Sequence, residues 1–255
     1  MTFLGLLLAA LIGVSLGIMG AGGSIITVPI LVYVLGFGAK EAIASSLVVV
    51  GVTSLLGALA HRHEGQMRLR VALIFGVFAM VGAYGGAQLA SFFSDAAQLI
   101  LFAVVMLVAA FVMLREEEPG KGGEDADSPG GYAVRRMVIR LAAPGIAVGI
   151  LTGLVGVGGG FLIVPVLVLL ADLPMKATVG TSLLVIAMNS AAGFAGYLGT
   201  LELQWSLVAA FTALAVGGSF AGTYLAQYFS GVVLKRGFAV FLVLMAVFIL
   251  YQNWR

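Results

Sequence analysis

The sequence predicts an all-α integral membrane protein made of two homologous repeats, each a glycine-broken first helix or re-entrant hairpin plus three transmembrane helices. Three observations lead there. Of 255 residues, 62% are apolar and only 9% are charged, with a mean hydropathy of +1.16. A soluble domain carries roughly 45–50% apolar and about 25% charged residues, so a soluble enzyme or a nucleic-acid binder is excluded. The apolar runs are about as long as a helix needs to cross a bilayer, roughly 17–25 residues, and far longer than barrel strands. Finally, the sequence repeats: shifted by 136, eleven of the 31 positions from Gly17 to Leu47 are identical, where chance at this composition gives about three.

The elements follow in order. An interrupted segment is expected over 3–37, then helices over 41–60, 71–93 and 96–114. The second half has 138–171, 177–198, 204–229 and 232–251. The chain opens Met1-Thr2-Phe3 without a basic stretch and runs into further apolar segments, so its start reads as mature protein. Between the halves, 11 of the 24 charged residues lie from Arg115 to Arg140. This gives a repeat over 1–114, a charged cytoplasmic linker over 115–134 and a second repeat over 135–255. The interruptions, Gly20-Ala21-Gly22-Gly23-Ser24 and Gly156-Val157-Gly158-Gly159-Gly160, are expected mid-membrane. The apolar piece after each is too short to cross about 30 Å at 1.5 Å per residue.

Each interrupted segment either crosses the membrane or folds back. Cytoplasmic loops collect Lys and Arg. Crossing segments make the repeats parallel and place nine basic residues inside and four outside; fold-back makes them inverted and places eleven inside and two outside. The inverted arrangement, with both termini outside, is favoured.

Chemistry is concentrated in the paired breaks. A break frees backbone N–H groups, and a half-helix starting after it turns its positive end to the gap, which binds anions without a basic side chain. Matching glycine breaks in two halves are the best sequence pointer to a transporter's binding site. The candidate substrate ligands are therefore Gly20, Gly22, Gly23, Ser24, Gly156, Gly158, Gly159 and Gly160, close packing being the alternative role. The next helix in each half adds Ser45, Ser46, Thr181 and Ser182, with Ser54, Asn189 and Ser190 two turns on. Such groups coordinate oxyanion oxygens without burying a charge, or else bond helix to helix. His61, Arg62 and His63 sit near the predicted inner surface, where they are solvated loop residues or act in gating and proton handling. Charged residues fall at helix ends, so no buried carboxylate for a cation is visible.

Enzyme signatures are thin. Gly13-Val14-Ser15-Leu16-Gly17 fits G-x-S-x-G but lies in an apolar helix rather than a strand-to-helix elbow. Metalloprotease, phosphate-loop and dinucleotide motifs are absent, and without cysteine there is neither a disulfide nor a thiolate site. No enzyme activity, cofactor or metal is expected.

The chain resembles the TauE/SafE sulfite exporters of the 4-toluene sulfonate uptake permease group over nearly its whole length. The resemblance rests on Gly20–Ser24 through Val28-Pro29-Ile30-Leu31, on Gly156–Gly160 through Val164-Pro165-Val166-Leu167, on Ala177–Ser182, and on Ala60–Gln66. It implies a multi-pass carrier of the bacterial inner membrane for small sulfur oxyanions or organosulfonates. Ser24 and Ser45 depart from the glycine and threonine at the matching places of the second repeat.

The function expected is secondary transport of such anions by alternating access, with the anion held at the repeat interface. The other readings are a passive anion channel and a membrane enzyme or assembly factor. The lipid bilayer and the anion are the expected partners, with no nucleic acid. A coupling proton or sodium ion, the direction of transport and the oligomeric state stay open at the level of sequence.

Overall fold

The computed structural model describes residues 2–19, 22–62, 67–115, 131–155, 160–171, 173, 175–198, 203–226 and 228–254, and every regular element among them is helical. The first half comprises α1 (Thr2–Met19), α2 (Gly22–Pro29), α3 (Ala39–Arg62), α4 (Leu69–Leu89) and α5 (Asp95–Arg115). The second comprises α6 (Gly131–Val155), α7 (Gly160–Leu170), α8 (Met175–Tyr197), α9 (Trp205–Ala226) and α10 (Gly231–Trp254). Moved by 136, α1 to α5 fall on α6 to α10, and α6 starts about two turns earlier than its counterpart.

Among the described residues, seven helices are long and apolar enough to span a membrane: α3, α4, α5, α6, α8, α9 and α10. The first limb of the first interrupted segment has the length the sequence suggests: α1 has 18 residues, about 27 Å at 1.5 Å per residue.

The short limbs end alike. Pro29 supplies no N–H, and the helix after it widens into a π-type turn over Ile30–Val34, with the Leu35 N–H on the Ile30 carbonyl at 3.1 Å. Gly36, at φ +74°, stops the helix with a conformation that costs a larger residue about 1–2 kcal/mol. The Phe37 N–H then closes onto the Leu31 carbonyl at 3.0 Å, and 136 residues on the Leu173 N–H closes onto the Leu167 carbonyl at 3.3 Å.

Glycine contacts reveal how the helices run. A Cβ placed on Gly82 of α4 would strike the Ile146 carbonyl of α6, and one on Gly86 the Ile150 carbonyl. From the other side, Gly149 meets Ala79 and Gly153 meets Ala83, so α4 and α6 run parallel with their backbones in contact. The same four contacts recur between α1 and α9: Gly218 against Ala10, Gly222 against Val14, Gly13 against Ala215 and Gly17 against Ser219. Every one is its counterpart moved by 136. α8 lies parallel to α4, through Gly76 on Met188 and Gly196 on Ala87. It is antiparallel to α3, through Gly51 on Ser190, Gly57 on Leu183 and Gly193 on Leu47.

These directions force the fold-back. α6 and α8 both run parallel to α4, so the chain between them, carrying α7, must return to the side where α6 began. α1 is parallel to α9, and α9, joined to α8 by a short connection, runs against α8 and so with α3; α2 therefore returns likewise. The two returning helices touch each other. Around this centre α5 packs on α10, with Phe102 and Phe238, one offset apart, both fully buried. The outward faces carry exposed apolar side chains such as Leu73, Val77, Val81, Phe220, Val240 and Leu244, which suits lipid rather than water.

The charges agree with this arrangement. On the side where α5 ends and α6 begins, ten described basic residues sit at helix ends: Arg62, Arg68, Arg70, Arg115, Arg135, Arg136, Arg140, Lys176, Lys235 and Arg236. At the opposite ends of the described helices, Lys40 stands alone. Arg115 lies over the Phe111 ring at 4.4 Å, where a guanidinium reaches the interface along an aromatic face.

Candidate functional site

The interior is polar along its middle and holds no buried Asp, Glu, Lys or Arg among the described side chains. α3 and α8 cross at the centre, where Thr53, Ser54, Asn189 and Ser190 are all within 1% of full burial. A Cβ on Gly51 would lie 3.1 Å from the Ser190 Cβ, so glycine lets α8 bring its serine against the α3 backbone. Thr53 donates to the Val49 carbonyl of its own helix at 2.7 Å. Asn189 donates to Thr152 of α6. The hydroxyls of Ser54 and Ser190 are buried with no hydrogen-bond partner among the described residues. A buried hydroxyl without a partner costs about 1–3 kcal/mol, a cost expected where a polar guest is to be met.

The other hydroxyl pairs are separate from this centre. Because α3 and α8 are antiparallel, Ser45 and Ser46 lie toward one end of the crossing, and Thr181 and Ser182 toward the other. Ser46 donates to the Ile43 carbonyl at 2.8 Å, and Ser182 to the Val179 carbonyl at 2.9 Å. Thr181 donates to the Ala177 carbonyl at 2.7 Å and accepts the Arg68 N–H at 3.0 Å, anchoring the start of α4. The Ser45 hydroxyl is buried without a partner among the described residues.

Gly22, Gly23 and Ser24 open α2, and Gly160 opens α7. Gly20, Gly156, Gly158 and Gly159 fall outside the described residues, as does His63. Gly17 meets the Thr223 backbone, close to the end of α9. Each helix start can still present N–H groups to an anion, at the approaches to the centre. His61 and Arg62 close α3 on the side of the charged linker.

Some residues in this region carried no clear sequence signal. Tyr197 donates to the Gly153 carbonyl at 3.1 Å, and with Asn189 and Thr152 it ties α8 to α6 just before the second break. Ser219 and Thr223 of α9 are buried, and their hydroxyls have no partner among the described residues. They stand four apart in an apolar helix, a pattern that also serves plain packing. Gln98 donates from Nε2 to the Ala90 carbonyl at 2.8 Å, a link between α5 and the end of α4. Among the described residues, no three His, Asp or Glu side chains gather as metal ligands would.

Comparison with known proteins places these features in a family. The sequence profile of the sulfite exporter TauE/SafE family matches residues 5–249. A probable membrane transporter protein of Xylella fastidiosa is 30% identical over 247 residues, covering 96% of this chain and 93% of that protein. The probable membrane transporter protein YdhB of Bacillus subtilis is 29% identical over 244 residues, 93% of this chain and 94% of its own. YunE of the same organism, also a probable membrane transporter, is 29% identical over 242 residues, covering 87% and 86%. No solved structure matches. With the match running through both broken segments and both crossing helices, the chain belongs to the TauE/SafE sulfite exporter family and is a multi-pass membrane transporter.

Proposed function

We propose that this transporter is a secondary carrier of small sulfur-containing anions in the bacterial plasma membrane, built from two inverted repeats that alternate access to an anion site between them. The observation that carries the reading is the pair of buried, partnerless hydroxyls on Ser54 and Ser190, one offset apart at the crossing of α3 and α8. Hydroxyl donors in a site without buried charge suit an anion of low charge density, whose oxygens they can meet. Asn189 supports the pair from α8, and Ser45 extends it toward one approach. The helix starts at Gly22 and Gly160 draw the anion from the two sides by their positive ends. The basic residues gathered at the helix ends beside the charged linker support a cytoplasmic linker.

The contacts support alternating access. α4 moves with α6 and α1 with α9, because glycine seams join them backbone to backbone. The movable surface is then the crossing of α3 and α8, where the anion is held. Purified protein in liposomes tests this with sulfite, sulfate, thiosulfate, sulfoacetate and taurine, with and without a proton or sodium gradient. Saturable sulfite or sulfonate counterflow, lost in S54A/S190A, is expected. Large unitary currents in a voltage-clamped bilayer would make the protein a channel, and no flux of any of these anions would refute the substrate class.

A further inference from the structure

We infer that Ser219 and Thr223 form a second anion station, between the central site and the cytoplasmic side, that the outer half of the protein lacks. The inference rests on the carrier reading above and extends it to an asymmetry between the two approaches.

Both residues lie on α9, one turn apart, at 2% and 8% exposure. Their hydroxyls, like those of Ser54 and Ser190, have no hydrogen-bond partner among the described residues. Ser219 Oγ lies 3.2 Å from where a Cβ on Gly57 would be. Gly51, Ser54 and Gly57 follow one another at steps of three along α3, each step turning the helix face by about 60°. Ser54 therefore lies between the flank that meets Ser190 and the flank that meets Ser219. The hydroxyls continue from the crossing to Thr223, whose backbone packs against Gly17, a turn short of the first break.

The other half shows what these positions need for packing alone. Ser219 and Thr223 correspond to Ala83 and Ala87, at the offset of 136. Those alanines make the equivalent contacts: Gly153 meets Ala83 and Ala87, and the Cβ position of Gly193, the counterpart of Gly57, lies 4.0 Å from the Ala83 Cβ. A methyl group thus satisfies the helix seam. The extra oxygens on α9 do nothing for the seam, and buried without partners they oppose folding. Their use is to a polar guest: two O–H donors in series, suited to the oxygens of the same anion as it passes to or from the cytoplasm. On the outer side the corresponding space is closed by methyls, and Tyr197 and Asn189 instead bond to α6.

The variant S219A/T223A tests the station and should fold, since the protein already builds this seam with alanine. Sulfite is presented separately to the cytoplasmic and outer faces of the full-length protein in oriented proteoliposomes. Losing two donors to an anion is expected to raise KM at the cytoplasmic face roughly tenfold or more, with KM at the outer face changed less than twofold. The reverse variant A83S/A87T is expected to lower KM at the outer face. Anion-induced thermal stabilisation of the detergent-solubilised protein is read in parallel. If the wild type transports sulfite while S219A/T223A keeps both KM values, the station is refuted and the carrier reading stands. If the wild type neither transports nor is stabilised by any of the five anions, both readings fall.

Discussion

Replacing Gly82 by alanine tests the seam that makes each half clasp the other. The new Cβ would overlap the Ile146 carbonyl oxygen and lie 2.9 Å from the Ile150 nitrogen and 3.0 Å from the Gly149 Cα. All three are backbone atoms, so no side chain can swing aside. Carbon contacts relax at about 3.5–4.0 Å, so α4 and α6 must part locally by roughly 1 Å. Such a gap forfeits a quarter to a half of the contact energy along the seam, and overpacking itself costs about 1–3 kcal/mol. The sum, about 2–4 kcal/mol, corresponds to roughly 5–12 °C in the unfolding midpoint of a chain of this size. Gly85, one turn away on the same helix, has nothing within 4 Å of its Cβ position. G85A should therefore be neutral within about 2 °C, or slightly stabilising through helix propensity. The assay is the thermal midpoint of purified protein in a mild detergent, measured for G82A, G85A and G218A. G218A should match G82A, because its Cβ would strike the Ala10 carbonyl in the same way. Equal midpoints for G82A and G85A would refute the close approach. A large loss in G82A with none in G218A would refute the reciprocal pairing.

Three further outcomes follow. Tyr197→Phe removes the bond to the Gly153 carbonyl and should cost about 1 kcal/mol; labelling of a single cysteine introduced on the outer approach should find that side opened more often, and unchanged labelling would deny Tyr197 a part in closure. Ser54→Ala and Ser190→Ala should each lower sulfite counterflow about tenfold while leaving the thermal midpoint equal or higher, since a partnerless buried hydroxyl is removed; a midpoint that falls with intact transport would make both serines structural. Thr181→Val takes the acceptor from the Arg68 N–H and should lower stability by about 1–2 kcal/mol, read as faster proteolysis between α3 and α4.

Composition alone determined that this chain lives in a bilayer. With 62% apolar and 9% charged residues there is no surface for water, a lipid-facing backbone must then be a helix or a closed barrel, and the length of the apolar runs decides for helices. The offset of 136, the short limbs after Gly22 and Gly160, and the basic side of the linker were likewise readable, because they depend on residue type and order along the chain. Which helices meet was not. Gly13, Gly17, Gly82 and Gly86 look alike in sequence, and only the folded chain decides that each faces the other half's backbone and not its own. The same holds for the site. Ser46, Thr181 and Ser182 resemble Ser54 and Ser190 as residues, yet each of the first three donates to a carbonyl of its own helix, while the last two reach the crossing with no partner among the described residues. Thr152, Tyr197, Ser219 and Thr223 carry no pattern, since a hydroxyl's role depends on the atoms within 3.5 Å of it. Those atoms come from helices far away in sequence, and tertiary packing chose them.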